Sequence, residues 1–315
     1  MKQNMYKIYV PTMVEDSNEK AFTTLSNFDK QVNATLNRLD STESMLPVVF
    51  SFEKCKGLST YAIAYMAIIS NYIKTRGRKL FYSWATATDE VKKDFELSGF
   101  ISRYFKKFVE TSPYIQDEEH NEIQFRDFIG SELDDIIDDV FEYLEKQWFE
   151  NMQFKFDESL YSEMVGSFVE MFANAIEHSG NGRDVGIAAY GKLNNNASEI
   201  YLCIVDRGVG IVNNVKKYWD KHHAEDDTLD DIQAMRWALK VNNTTREKRL
   251  GGQGFSNIRQ FIRANQGSLD IYSNSVHARM ESDLPDNITL ANESFPGTML
   301  IFKLKNARIL YKRKA

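Results

Sequence analysis

The segment Glu199-Ile-Tyr-Leu-Cys-Ile-Val-Asp206-Arg-Gly208-Val-Gly210 constrains this chain more than any other. Ile200, Leu202 and Ile204 fall on one face of the run and Tyr201, Cys203 and Val205 on the other, the mark of a central strand. The strand ends in an acid. A carboxylate at the buried end of a central strand has to find donors or incur a desolvation cost of several kcal/mol, roughly. Gly208 and Gly210 then let the backbone approach a ligand closely, which a plain strand-ending turn explains only in part.

Two further segments bracket this one. Upstream, Leu160 to His178 reads as a helix with Leu160, Met164, Phe168, Phe172 and Ile176 on its core face. Its other face carries Glu163, Ser167, Glu170, Asn174 and Glu177, so a carboxylate and a carboxamide stand one turn apart. Downstream, Gly251, Gly252 and Gly254 precede a helix from Phe255 to Ala264, whose bare N–H groups and dipole suit an anion. Arg246, Lys248 and Arg249 lie just before them and add positive charge. No Gly-Lys-Ser/Thr follows, which excludes a Walker A loop. The acid precedes its glycines and a third glycine is missing, which excludes a Rossmann fingerprint. Together the three segments describe a pocket for ATP.

In these residues the chain resembles the GHKL superfamily, the ATPases related to gyrase, the heat-shock chaperone ATPase, histidine kinases and MutL. The resemblance covers about residues 155 to 305 and keeps all three boxes in order. It implies Glu170 as general base, Asn174 as the Mg²⁺ ligand and Asp206 as the adenine reader. It also implies Gly208 and Gly210 as the first glycine box, Gly252 and Gly254 as the second, and Thr298 near adenine; Lys248 is expected beside the terminal phosphate from its charge and position alone. Residues from about Val212 to Leu250 would form the ATP lid. Histidine kinases usually carry an asparagine where this chain has Glu170, so the similarity is to the ATPase and anti-sigma serine-kinase branches. His178, at a helix end, reads as a cap and not as a phospho-acceptor.

At 315 residues the chain is long enough for two domains. Hydrophobic residues are 43% and charged residues 27% of it, with no apolar run of bilayer length. A net charge of −6 argues against wholesale nucleic-acid binding, and the basic C-terminal run from Lys303 to Lys314 reads as a solvated end. MKQNMYKIYVPTMVEDSNEK lacks an apolar signal core, so a cytoplasmic location is expected, without membrane attachment. Cys55 and Cys203 match no metal spacing and are expected to be reduced and buried.

In the first 120 residues a strand from Met45 to Phe52, a helix from Tyr61 to Lys74 with Ser59 or Thr60 at its start, and a strand from Lys79 to Trp84 suggest a βαβ unit. This pattern faintly resembles a STAS domain, which implies a regulatory phosphoserine at that helix start and a protein partner. Phe128 to Phe149 reads as one amphipathic connecting helix, with Leu133, Ile136, Ile137, Val140, Phe141, Leu144 and Trp148 as a stripe available to the interface between domains or to a second subunit. Ser273 to Gly297 is polar and reads as a mobile surface excursion. Asp134-Asp135-Ile-Ile-Asp138-Asp139 and Asp226-Asp227-Thr-Leu-Asp230-Asp231 fit a diphosphate-binding spacing, but the strands exclude an all-helical synthase.

The expected fold is therefore α+β/α/β: a STAS-like α/β domain over 1–120, a connecting helix over 121–152, and a GHKL α/β sandwich over 153–315, its mixed sheet covered by helices on one face. The expected function is that of a Mg-ATP switch, an ATPase or serine/threonine kinase working as a homodimer on a protein partner. The alternative is a nucleotide sensor without turnover.

Overall fold

The computed structural model describes residues 5–14, 18–42, 45–105, 122–129, 133–178, 185–194, 198–224, 226–245, 254–282 and 284–312. In the N-terminal half, β1 (Tyr6–Tyr9), α1 (Asn18–Ser41), β2 (Val48–Ser51), α2 (Thr60–Thr75) and β3 (Leu80–Ser83) alternate. They build a three-stranded parallel sheet in the order β1-β2-β3. The helix α2 has apolar side chains all round, and every residue from Thr60 to Asn71 is buried. Such a helix needs packing partners on all sides. It finds them in β3 and α1, and beyond them in strands of the C-terminal half. Ser59 caps α2 by accepting from the Ala62 N–H at 3.3 Å, and it is buried. A phosphate there would require this helix start to open. After β3 come a 3₁₀ turn (Trp84–Thr86), α3 (Asp89–Leu97) and α4 (Phe100–Tyr104).

The C-terminal half holds β4 (Glu122–Phe128), α5 (Leu133–Tyr143), a π turn (Leu144–Phe149), β5 (Lys155–Phe156), α6 (Glu158–His178), β6 (Ile187–Asn194) and β7 (Glu199–Asp206). There follow α7 (Ile211–His222), α8 (Asp231–Ala238), α9 (Gly254–Asn265), β8 (Ser268–Glu281), β9 (Asn287–Lys305) and β10 (Leu310–Tyr311). Five strands form one sheet in the order β4-β6-β7-β9-β8. Its four neighbour pairs are all antiparallel, where a mixed sheet was expected. Helices cover both faces, where one was expected. Ile200, Leu202 and Ile204 join the core with α6 and α9, while Cys203 and Val205 join the core with α1 and α2.

The stretch expected to be one connecting helix is strand up to Phe128 and helix from Leu133. Strand β4 is the edge of the five-stranded sheet, and Ile136, Val140, Leu144 and Trp148 are buried in the same core as α6. The apolar stripe is therefore spent within the chain, which removes it as the reason to expect a second subunit. Among the described side chains of the stripe, Phe141 is the exposed one, at 44%.

The Ser273–Gly297 stretch is likewise not a surface excursion. It forms the distal arms of β8 and β9, with Val276, Ala278 and Met280 fully buried. The pairing shifts register between Ser273 and Val276, and Asn274 has φ 54°. Asp270 then accepts from Arg279 at 2.8 Å and lies 2.7 Å from His277 Nε2. Seven residues of straight strand would span about 23 Å, so these contacts require β8 to fold back on itself. The folded-back arm supports α7 and α8: Asp231 pairs with Lys216 and accepts from Ser275.

The two acidic runs have structural work here. Asp230 caps α8 in a reciprocal capping box with Gln233, and Asp139 pairs with Arg126 at 3.1 Å. Cys55 and Cys203 are both buried, and burial pushes the Cys55 thiol up to about 12. Among the described residues, no helix is long and apolar enough to cross a membrane.

Candidate functional site

Strand β7 delivers Asp206 to the bottom of a cavity bounded by α6, α7, α8 and β9. Glu170, Asn174, Asp206, Gly210 and Thr298 all line it, although they come from three separate parts of the sequence. The cavity therefore unites five of the nine predicted site residues. Gly208 stands beside it as a donor to Asp206. Gly254 adjoins it through Glu170, and Lys248 and Gly252 lie outside the described residues, as do Arg246, Arg249 and Gly251.

Asp206 is 3% exposed. Burial pushes its carboxyl up to about 7, while the Thr298 N–H, the Gly208 N–H and the Thr298 hydroxyl draw it back by donating to it. Thr298 is placed for this by pairing directly opposite Asp206 in the β7–β9 ladder. The carboxyl end thus titrates near neutrality, at the wall of a cavity. Ile204 and Leu300 extend the same wall with apolar surface.

Opposite stands α6. Glu170 and Asn174, one turn apart, both face the cavity. The Glu170 carboxylate accepts from the Gly254 N–H at 3.0 Å, which places negative charge at the N-terminus of α9. A Cβ on Gly254 would come within 2.9 Å of the same carboxylate oxygen, so glycine is the residue that permits this approach.

The turn after Asp206 is held from a direction that sequence reasoning missed. The Ile211 N–H donates to the Ser273 hydroxyl at 2.7 Å, and Ser273 donates to the Gly297 carbonyl at 2.9 Å. Asn274 accepts from the Asn213 N–H at 3.2 Å and donates to the Val209 carbonyl at 2.9 Å. Gly210 has φ +81°, and a side chain there would collide with Asn274. Ser273 and Asn274 therefore organise the first glycine box from the bend of β8. An asparagine after a strand rich in apolar residues was the available signal, since Asn tolerates the left-handed conformation that the bend needs. Sequence reasoning also missed Asn214, Trp237, Asn243 and Phe255, which line the cavity.

On the far side of the sheet, the residue after Asp206 points away from the cavity. Arg207 pairs with Asp29 at 3.1 Å, donates to Asn33 at 2.9 Å and lies 3.6 Å above the Tyr72 ring. Tyr65 also donates to Asp29, and Asn33 donates to its other oxygen at 2.6 Å. Consecutive residues thus join the cavity to α1 and α2.

Among the described residues, no three His, Cys, Asp or Glu side chains are grouped to hold a metal. Asn174 presents a carboxamide to the cavity, one turn along α6 from Glu170. An orphaned polar atom speaks for a polar occupant: among the described residues, the Asn214 side-chain nitrogen is buried without a hydrogen-bond partner. No protein-family model matches the chain, and no curated protein matches it.

Proposed function

We propose that the chain binds Mg-ATP and uses it as a regulatory switch, by hydrolysis or by phosphoryl transfer to a protein partner. The observation that carries this reading is the convergence of Glu170, Asn174, Asp206, Gly210 and Thr298 on one cavity, with the N-terminus of α9 at its edge. Asp206 accepts from the adenine amino group, the apolar wall of Ile204 and Leu300 packs on the ring, and the start of α9 faces the phosphates. Asn174 holds the metal. Bound ATP supplies the transferable phosphoryl group, and Glu170 takes a proton from the attacking water or hydroxyl. The resemblance to the GHKL superfamily supports the same roles, and the resemblance of the N-terminal half to a STAS domain supports a partner-switching use.

A second reading, a sensor that holds ATP without turnover, is favoured by one contact. The Gly254 N–H already engages one oxygen of the Glu170 carboxylate, so that oxygen serves a structural contact within the chain. Calorimetry and phosphate release on the full chain separate the two. Glu170→Ala keeps ATP affinity and loses about a hundredfold or more in turnover if the carboxylate is the base. Asn174→Ala loses Mg²⁺-dependent binding and turnover together. Absence of both phosphate release and phosphoryl transfer in the wild type, with ATP still bound, establishes the sensor. Absence of ATP binding rejects both readings.

A further inference from the structure

Three asparagines around the cavity have matched amides. Asn213 donates to the Val209 carbonyl at 3.3 Å, Asn274 to the same carbonyl at 2.9 Å, and Asn243 to the Trp237 carbonyl at 2.9 Å. Asn214 differs from them. It lines the cavity from α7, and its side-chain nitrogen is buried with no hydrogen-bond partner among the described residues. Leaving an amide donor buried and unmatched costs free energy that an apolar side chain at the same place would not incur. Ile211 and Val215, at the adjoining positions on the same face of α7, meet the cavity with apolar side chains and carry no such penalty. An amide set between them therefore makes sense as a donor kept for something that enters the cavity.

Its place in the cavity indicates which part of a ligand it meets. The groups assigned above to the metal and the phosphates, Asn174 and the start of α9 at Gly254, belong to the wall formed by α6 and α9. Asn214 stands instead on the α7 wall, among apolar side chains that suit the flat, weakly charged portion of a nucleotide. Resting on the ATP reading above, we propose that Asn214 is a specificity-determining residue, whose buried N–H donates to an acceptor on the nucleoside portion, a purine ring nitrogen or a ribose oxygen.

The test is calorimetry of the full chain with Mg-ATP and with Mg-ADP, for the wild type, Asn214→Leu and Asn214→Ala, together with the thermal midpoint of each protein without nucleotide. Leucine keeps the branching of asparagine at a larger volume, and alanine removes the amide without adding bulk, so the pair separates loss of the donor from crowding of the cavity. The expected result is a loss of about tenfold in affinity for both nucleotides, the worth of one buried hydrogen bond. The unliganded midpoint of Asn214→Leu stays level or rises, because the unmatched donor is gone. Wild-type affinity in both variants overturns the proposal. So does a loss for ATP without one for ADP, which would put the contact at the terminal phosphate. A fall in unliganded midpoint alongside the affinity loss in both variants overturns it as well, by making Asn214 a structural residue. If the wild type binds neither nucleotide, the ATP reading falls and this inference with it; if the wild type binds and the variants match it, this inference alone falls.

Discussion

The two faces of the five-stranded sheet treat buried polar groups in opposite ways. Toward α1 and α2, Arg207 is 12% exposed and fully engaged by Asp29, Asn33 and the Tyr72 ring, and aromatic rings close the rest of the contact: Phe22 stacks on Tyr272 at 4.0 Å. Toward α6 and α7, Asp206 and Asn214 border open space, and the amide of Asn214 has an unmatched donor. One face pairs its buried polar groups within the chain, and the other leaves polar groups at a cavity. The difference shows how a strand of uniform apolar character can end in two neighbouring charged residues with unlike tasks.

The largest effect is expected on the closed face. Arg207→Ala leaves Asp29 buried at 4% side-chain exposure without its cation, and breaking such a pair by removing one partner costs about 3–5 kcal/mol. Urea unfolding should show this as a lower midpoint with an unchanged slope. A midpoint equal to that of the wild type would break the comparison, since Arg207 would then contribute nothing to the packing of the halves.

On the open face, Asp206→Asn should weaken ATP binding by about tenfold to a hundredfold, the range of a hydrogen bond to a charged group, while costing less stability than Arg207→Ala. The amide brings a donor against the Thr298 and Gly208 donors as well as against adenine. Equal affinity in calorimetry would reject the adenine-reader role.

The pH dependence of Asp206 sharpens the same contrast. A carboxyl raised to about 7 in the fold holds a proton that the unfolded chain has already released, so its contribution to stability falls as pH rises from the usual carboxylate value of 3.8 through about 7. Binding of adenosine, which lacks titrating phosphates, should show the opposite trend. Its affinity should climb as the carboxyl ionises, level off above about 7, and become flat with pH in Asp206→Asn. A wild-type affinity independent of pH between 5 and 9 would remove the carboxylate from recognition; that interval is chosen to span roughly two units on either side of the transition.

The smallest effect concerns the helices beside the cavity. Asp230→Ala removes the capping box of α8, at a cost of about 1 kcal/mol. The change should speed hydrogen exchange in α8 more than in α2. Uniform acceleration across both would show that α7, α8 and the folded-back β8 arm do not open separately from the closed face.

Much of the candidate site was legible because its chemistry is local. Glu170 and Asn174 declare a shared helix face through their spacing, and Asp206 declares itself by ending an apolar strand. The glycines mark close approach, and Gly210 and Gly254 do lie where side chains would collide. Strand β4 was missed although Ile123 and Phe125 alternate with polar residues in Glu122–Phe128. The β8–β9 arm was misread for another reason. The start of β9, Asn287-Ile-Thr-Leu-Ala-Asn-Glu-Ser, is largely exposed on both sides, and a strand of that kind carries no period-two apolar signal. Ser273 and Asn274 inherited that misreading.

What the sequence determined by itself was the identity of the central strand, the helical face opposite it and a set of polar residues that meet at one cavity, because each depends on periodicity or on the chemistry of a few neighbouring side chains. Tertiary structure alone decided what covers the second face of the sheet. The all-round apolar surface of α2 requires burial but does not say between which layers, and its partners on β6 and β7 lie more than a hundred residues away in the chain. It also decided that Arg207 turns toward Asp29 while Asp206 turns toward the cavity. That separation arises because successive side chains at a strand end point to opposite faces, and only the assembled layers make one face closed and the other open.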